Sequence, residues 1–463
     1  GCNSGSSIVG GGNNIFLGCQ SGAATDNGNA NVFLGAQAGF SNTDGACNVF
    51  IGHDAGCKSS TGTKNVFIGE CAGNCNTGDC NVNIGNGAAC CNKDGNANVF
   101  LGAQAGFSVQ EADCSVYIGH NAGRTGNAGA AWSPKYNVLI GDSVGYAHTE
   151  LGCGVLIGKS AGYKSGSTYG ISIGYQAGMC DSGLCNIAIG KDALKGATVT
   201  GCNNIAIGQQ AAQNTDTGCD NVFIGFCAGL ENTSGKFNTF LGCGVGACNK
   251  TGSWNTFIGI GAGFGLTEGT TNIIIGTNAS RCTTTGNDNT IIGSAAGRAL
   301  VSSCSNTFIG VGAGQCVTSL GENNLFLGAN AGRCSSGTGA CNIFAGFCAG
   351  CGNNDGDNNV FIGTCAGLSN TDGVDNILIG REAGKCLTTG NSNIFIGDES
   401  AAGTGDKTGK QNIFLGKGSG KRLTSGCYNI FFGECAGYYN TTASQNIYIG
   451  RDAGYSNTTD RKS

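Results

Sequence analysis

Hydrophobic and polar positions along this chain recur in blocks of about 17 residues, a fixed short period of the kind that marks a solenoid. Each block is built on the same short phrase. Asn359-Val360-Phe361-Ile362-Gly363 is one copy: an asparagine, three apolar residues and a glycine. Twenty-six such phrases occur, the first closing on Gly18 and the last on Gly450. Gly18, Gly35, Gly52 and Gly69 show the usual step between closing glycines. Some steps are slightly shorter or longer, and the step from Gly119 to Gly141 is the longest. With the closing glycine as position 0, position −4 is Asn in 23 of the 26 blocks, the exceptions being Ser115, Gly154 and Gly170. Positions −3 and −1 are mostly Val, Ile or Leu, position +3 is usually Ala, and +4 is usually Gly. The remainder is a polar turn such as Asn370-Thr371-Asp372-Gly373, whose Asn and Asp bond their own backbone and whose Gly accepts positive φ.

The apolar triplet predicts a short strand ended by a glycine bend. The expected fold is all-β: a parallel β-solenoid, or β-roll, of about 26 coils with two short strands per coil. Its expected organisation is an N-terminal extension or cap over 1–13, a repeat shaft over 14–455 with a protruding loop at 120–136, and a polar tail over 456–463. The longest block carries the loop, with Trp132 and the only proline, Pro134.

Side chains alternate along a strand, so −3 and −1 share one face and −2 takes the other. Placing −3 and −1 inside the coil leaves −2 outside, where 15 of the 22 phenylalanines fall: Phe16, Phe33, Phe50, Phe67, Phe100, Phe223, Phe240, Phe257, Phe308, Phe326, Phe344, Phe361, Phe395, Phe414 and Phe431. A ladder of exposed phenylalanines would need cover, since monomers seldom expose large apolar patches. The cover is either the chain's own returning strand or, the preferred reading, identical chains, which makes the column an oligomer interface with Ser172, Ala188 and Ala206 as places of closer approach.

Composition narrows the choice. Glycine supplies 88 of 463 residues without a three-residue period and with a single proline, which excludes collagen. A net charge of −5 argues against nucleic acid, which calls for a basic stripe. No apolar run approaches the ~20 residues that span a bilayer, so membrane insertion by this chain is not expected. A start at Gly1 is read as a processed form or a fragment.

The 29 cysteines point to an oxidising, extracellular setting. They cluster on the shoulders of the polar turn and at +2, and equivalent positions of adjacent coils lie within disulfide reach. The pairs Cys202 with Cys219 and Cys348 with Cys365 have the one-coil offset, while Cys75 with Cys80, Cys180 with Cys185 and Cys334 with Cys341 would close single turns. Metal binding is weakly supported by the lone Cys348-x-x-Cys351 pair and three histidines, and no cofactor is expected. The Asn column at −4 predicts a stacked amide ladder. Sequons fall at Asn232, Asn249, Asn278, Asn440 and Asn457. Acids gather just after the glycine, and Glu382 with Glu399 is the one pair whose stacking could suit a glycosidase. A solvated acidic face explains them more simply, and no enzyme activity is expected.

The Asn-Val-Phe-Ile-Gly-x-x-Ala-Gly units with Asn-Thr-x-Gly turns resemble the left-handed β-roll head of YadA-like trimeric autotransporter adhesins. They resemble still more the shaft repeats of phage and giant-virus tail-fibre-like proteins that carry an endosialidase-type self-cleaving chaperone. The resemblance spans about residues 14 to 455. It implies a parallel homotrimer with a role in attachment or surface structure. This chain departs from it in a longer repeat than the adhesin head and in its many cysteines, and neither anchor nor chaperone is seen. The tail ending Asp460-Arg461-Lys462-Ser463 would be the stub left by chaperone removal.

The expected function is an extracellular structural fibre or adhesin shaft, secreted or on a cell or virion surface. Such a shaft would be disulfide-stabilised and self-assembling as a trimer or filament. The alternatives are a glycan-binding solenoid, in which the Trp132 loop, Tyr163, Tyr438 and Tyr439 would meet a cell-surface glycan or host receptor, an ice-binding one, and a tailspike-like glycan hydrolase.

Overall fold

The computed structural model describes residues 1–124, 135–147, 152–335 and 337–458. The chain is a parallel β-solenoid in two compact units, Gly1–Ser234 and Gly235–Ser463. Among the described residues the first holds thirteen three-residue strands, from β1 (Ile15–Leu17) to β13 (Val222–Ile224), and the second holds thirteen more, from β14 (Thr239–Leu241) to β26 (Ile447–Ile449). Within each unit every strand pairs in parallel with the next, like position on like position, as Phe344 with Phe361 and Phe33 with Phe50. Short and long blocks alike keep this register, as between Val66 and Val82 or Val116 and Val138, so length differences are absorbed in the turns.

Each coil carries one strand, not the two expected. The return arc is a series of turns whose N–H groups donate to the arc of the neighbouring coil, as Gly367 to Ala383 at 3.0 Å. Positions +2 and −5 are left-handed in coil after coil, with Cys71 at φ 56° and Cys80 at φ 60°, which bends the chain on either side of the strand. Residues 1–13, expected as an extension, follow the same arc: Gly5 N–H donates to Ser21 O at 2.9 Å. Around the expected loop, residues 120–124 and Lys135–Tyr136 keep the repeat, Lys135 bridging Asp113 and Gly152. Trp132, Pro134 and the last five residues lie outside the described residues.

The coil is inverted relative to the sequence expectation. Position −2 points inward: the phenylalanines from Phe33 to Phe431 named above are 0–1% exposed, and Phe16 alone is half-buried. They form stacks along the inside of the sheet, with ring centroids 4.6 Å apart for Phe50 and Phe67, 4.6 Å for Phe240 and Phe257, and 4.9 Å for Phe344 and Phe361. That spacing is the rung-to-rung distance of a sheet, so wherever successive coils carry Phe at −2 one ring per coil fills the interior and stacks on the next. The column is therefore core, and it is not the interface. A three-residue strand gives one side chain to one face and two to the other, and so narrow a coil has room for the single ring.

Alternation settles the rest. Asn at −4 shares the inner face with −2, Ala at +3 closes it from the return arc, and +7 supplies a second inner column, as at Asn42, Ser59 and Val109 or Leu266 and Leu300. The inner asparagines form the expected ladder. Asn359 donates its N–H to Asn342 Oδ1 at 2.9 Å and its Nδ2 to Gly373 O at 2.8 Å. Its own Oδ1 accepts from the N–H and the Nδ2 of Asn376 at 3.0 and 3.1 Å. Buried amides are costly unless bonded, and here each rung satisfies its neighbours.

Candidate functional surface

The outer face of each sheet is lined by positions −3 and −1. These residues, mostly β-branched or aliphatic, are half-buried to exposed on every rung: Ile362 is 40% exposed, Phe432 53% and Ile449 71%. An apolar outer strip thus exists in each unit, one residue out of phase with the column expected from the sequence. Its members belong to a strand that is apolar on both faces, a pattern that ordinarily goes with cover on both.

No sulfur–sulfur bond joins any two of the 29 cysteines in this structure. The −6 column explains part of this. Its side chains accept the backbone N–H of the −6 residue one coil earlier: Asn29 Oδ1 from Gly12 at 2.8 Å, Asp113 Oδ1 from Asn96 at 2.9 Å. Cysteine fills the same role, Cys219 Sγ accepting from Cys202 N–H at 3.1 Å and Cys202 Sγ from Leu184 N–H at 3.3 Å. These two sulfurs act as amide acceptors, which spacing alone did not suggest. Cys75, Cys180 and Cys334 lie at +6, and their expected partners Cys80, Cys185 and Cys341 lie at −5 on exposed left-handed residues. Cys348 and Cys365 stand on consecutive rungs at +2.

Other thiol neighbours cross coils instead of closing turns. Cys75 N–H donates to Cys90 O and Cys334 N–H to Cys351 O, both at 3.0 Å. Burial, then the charge of Cys91, pushes the Cys90 thiol up to about 12, and burial with Asp54 raises Cys57 to about 11. Such thiols resist becoming thiolates, the form that attacks or binds metal. Among the described residues no group of three or more His, Cys, Asp or Glu is arranged to hold a metal ion.

The acids at +1 and +2 form a surface network. Arg381 binds Asp398 at 2.9 Å and Glu399 at 3.0 Å, Lys421 binds Glu399 at 2.6 Å, and Lys385 binds Glu382 at 3.4 Å. The Lys421 and then the Arg381 hydrogen bonds hold the Glu399 carboxyl below the usual range. A glycosidase acid needs the opposite shift.

Three sequons sit where no oligosaccharide can reach in the folded chain: Asn232, Asn249 and Asn440 are fully buried in the +7 column. Asn278 and Asn457 are half-buried, Asn457 donating its Nδ2 to the Tyr448 hydroxyl. The expected glycan-facing tyrosines are also engaged. Tyr163 stacks on Tyr146 at 5.2 Å, and Tyr438 and Tyr439 cluster with Tyr455, with Arg422 4.7 Å over the Tyr439 ring. A more open aromatic pair is one that the sequence did not single out: Phe237 and Trp254, at −5 on successive coils, stack at 4.1 Å, and Trp254 is 60% exposed.

No protein-family model matches the chain, and no curated protein matches it.

Proposed function

We propose that this chain is the shaft of an extracellular structural fibre or adhesin, assembled from parallel copies of itself, three in the arrangement its repeats resemble. The observation that carries this reading is the outer apolar strip. A solenoid that fills its interior with the −2 side chain, Phe in 15 of 26 coils, and with an Asn at −4 in 23 has no internal use for Val, Ile and Leu at −3 and −1. Burying that strip against a second copy would remove apolar area from water at about 25 cal/mol per Å². It would also repeat the same contact on every rung, so neighbouring copies are held in register by the same period that stacks the coils. The number of cysteines fits an oxidising exterior.

Light scattering in reductant should give a particle mass of three times 46.1 kDa. Lysine at Ile362, Ile396 and Ile430 should release folded monomers. A wild-type chain that is monomeric and soluble at micromolar concentration would sink the proposal.

A second reading rests on Phe237 and Trp254. An exposed stacked pair next to Lys236 and Ser253 is a contact point for a glycan or receptor on the shaft. Binding to a glycan array that survives Trp254→Ala would dispose of it.

A further inference from the structure

One line of cysteines in the first unit is spaced so that its members cannot pair with one another. Cys47, Cys80, Cys114, Cys153 and Cys185 all occupy position −5, all are exposed and all are free. Each has a left-handed backbone, φ between 50° and 60°, which turns its side chain away from the coil. The rungs between them carry Lys64, Ala97, Tyr136 and Tyr169, also exposed. Every member of the column, cysteine or not, donates its N–H to the −6 carbonyl of the coil before: Cys80 to Thr63 at 3.0 Å, Ala97 to Asp79 at 2.9 Å, Cys114 to Asn96 at 2.9 Å, Cys153 to Lys135 at 3.1 Å. The column is thus straight, with one residue per coil and a thiol on alternate rungs.

That alternation sets the chemistry. Rungs of a parallel sheet are ~4.8 Å apart, so successive thiols of the column have Cα atoms ~9.6 Å apart. A disulfide needs Cα atoms within about 7 Å. The five cysteines cannot pair among themselves without tearing the ladder. The column also borders the −3 and −1 strip, two residues upstream of it in every coil, so a copy seated on that strip brings its own thiols alongside at the same two-rung step.

We propose that this column is a covalent seam: its cysteines form disulfides to a second copy of the chain. The inference rests on the self-association proposed above and adds to it the residues that lock the assembly. The reaction is ordinary thiol–disulfide exchange with a small-molecule disulfide as oxidant. One column thiolate attacks the oxidant and releases its first half as a thiol. A column thiolate of the second copy then displaces the other half, so a protein disulfide forms, and two electrons and two protons leave with the two small thiols.

The test is to reduce the chain, expose it to oxidised glutathione, quench with iodoacetamide and run denaturing electrophoresis without reductant. Wild type should give bands at multiples of 46.1 kDa. The variant C47S/C80S/C114S/C153S/C185S should lose at least ten-fold of that covalent product while keeping its β-sheet circular dichroism, since every altered side chain is exposed. A control, C202S/C219S/C304S/C427S, changes −6 sulfurs that accept backbone amides and should keep the bands. A wild type that stays monomeric on the gel, or a column variant with an unchanged ladder, overturns the proposal. Light scattering in reductant reads the other question separately: association without covalent bands sinks the seam alone, and a reduced chain that is monomeric sinks the self-association reading.

Discussion

The ring of Phe361 lies flat against Gly367, where a Cβ would come within 2.5 Å of ring carbons Cδ2 and Cε2. Gly367 also has φ +57°. Both facts bear on one substitution. Gly367→Ala adds a left-handed alanine, about 1 kcal/mol, to a displaced core ring, about 1–3 kcal/mol. Denaturant unfolding should show a loss of about 2–4 kcal/mol for the second unit, the sum of those two costs, with faster amide exchange in the flanking coils. A change below about 0.5 kcal/mol, the size of an ordinary surface substitution, would mean the ring moves freely.

The same pair trades volume elsewhere. At three of the four blocks where −2 is small, +4 is no longer glycine: Ala188 goes with Leu194, Ala206 with Ala212 and Asn83 with Ala89, all fully buried, while Ser172 keeps Gly178 and Phe395 goes with Ala401. Asn83 interrupts the stack between Phe67 and Phe100, and neither its Nδ2 nor its Oδ1 has a partner. Asn83→Phe alone should stabilise less than it does together with Ala89→Gly, because the ring then shares its place with the Ala89 methyl. Asn83→Phe with Ala89→Gly should stabilise by about 1–3 kcal/mol relative to wild type, since it removes two orphaned buried polar atoms. The double-mutant cycle should show a coupling of at least about 1 kcal/mol; additivity would refute the trade.

Removing one rung of the amide ladder strands several groups at once. Asn359→Leu would leave the buried N–H of Asn376 without its acceptor and the carbonyl of Gly373 with only its second donor, Asn370 Nδ2 at 3.1 Å. The expected cost is about 2–4 kcal/mol, larger than for Asn358→Leu on the exposed rung beside it. Equal costs at the two positions would count against the ladder as a source of stability.

Two buried ionisable groups give opposite pH slopes. Burial raises Asp181 to about 7, against hydrogen bonds from Asn186 and Gly183. The unfolded chain loses this proton near pH 4 and the folded one near 7, so stability is highest below pH 4 and falls as pH rises to 7. Burial lowers Lys407 from 10.5 to about 8. Its Nζ donates to the carbonyls of Lys421 and Leu423. Here stability is full above pH 10.5 and falls as pH drops to 8. Asp181→Asn should flatten the acid-side slope and stabilise the first unit at pH 8 by on the order of 2–4 kcal/mol, and Lys407→Met should do likewise for the second at pH 7. Melting curves from pH 4 to 10 decide both; wild-type slopes surviving in the variants would refute them.

The period, the strand and the asparagine ladder could all be read from the sequence, because each rests on one repeated position. Which face lay inside could not be read from the triplet alone, since it is apolar throughout. Yet two signals bore on it. An Asn ladder at −4 is useful when buried, and −4 has the parity of −2, so Phe belonged inside with it. The exchange of bulk between Ala188 and Leu194 says the same, because an outward side chain has no reason to match the return arc. The cysteines were legible only in part: chain spacing gives rungs, while the role of Cys219 as an amide acceptor depends on the direction its sulfur takes.

Within each unit the strands keep register whether a coil is short or long, and residues 28–41 recur unchanged as 95–108. Each coil asks of its neighbours the same few things: a ring, an amide, a glycine carbonyl. A gene for such a chain can gain or lose whole repeats by unequal recombination, and the new junction closes as the old one did. Length is then a heritable dimension that selection can set one rung at a time, with no core to redesign.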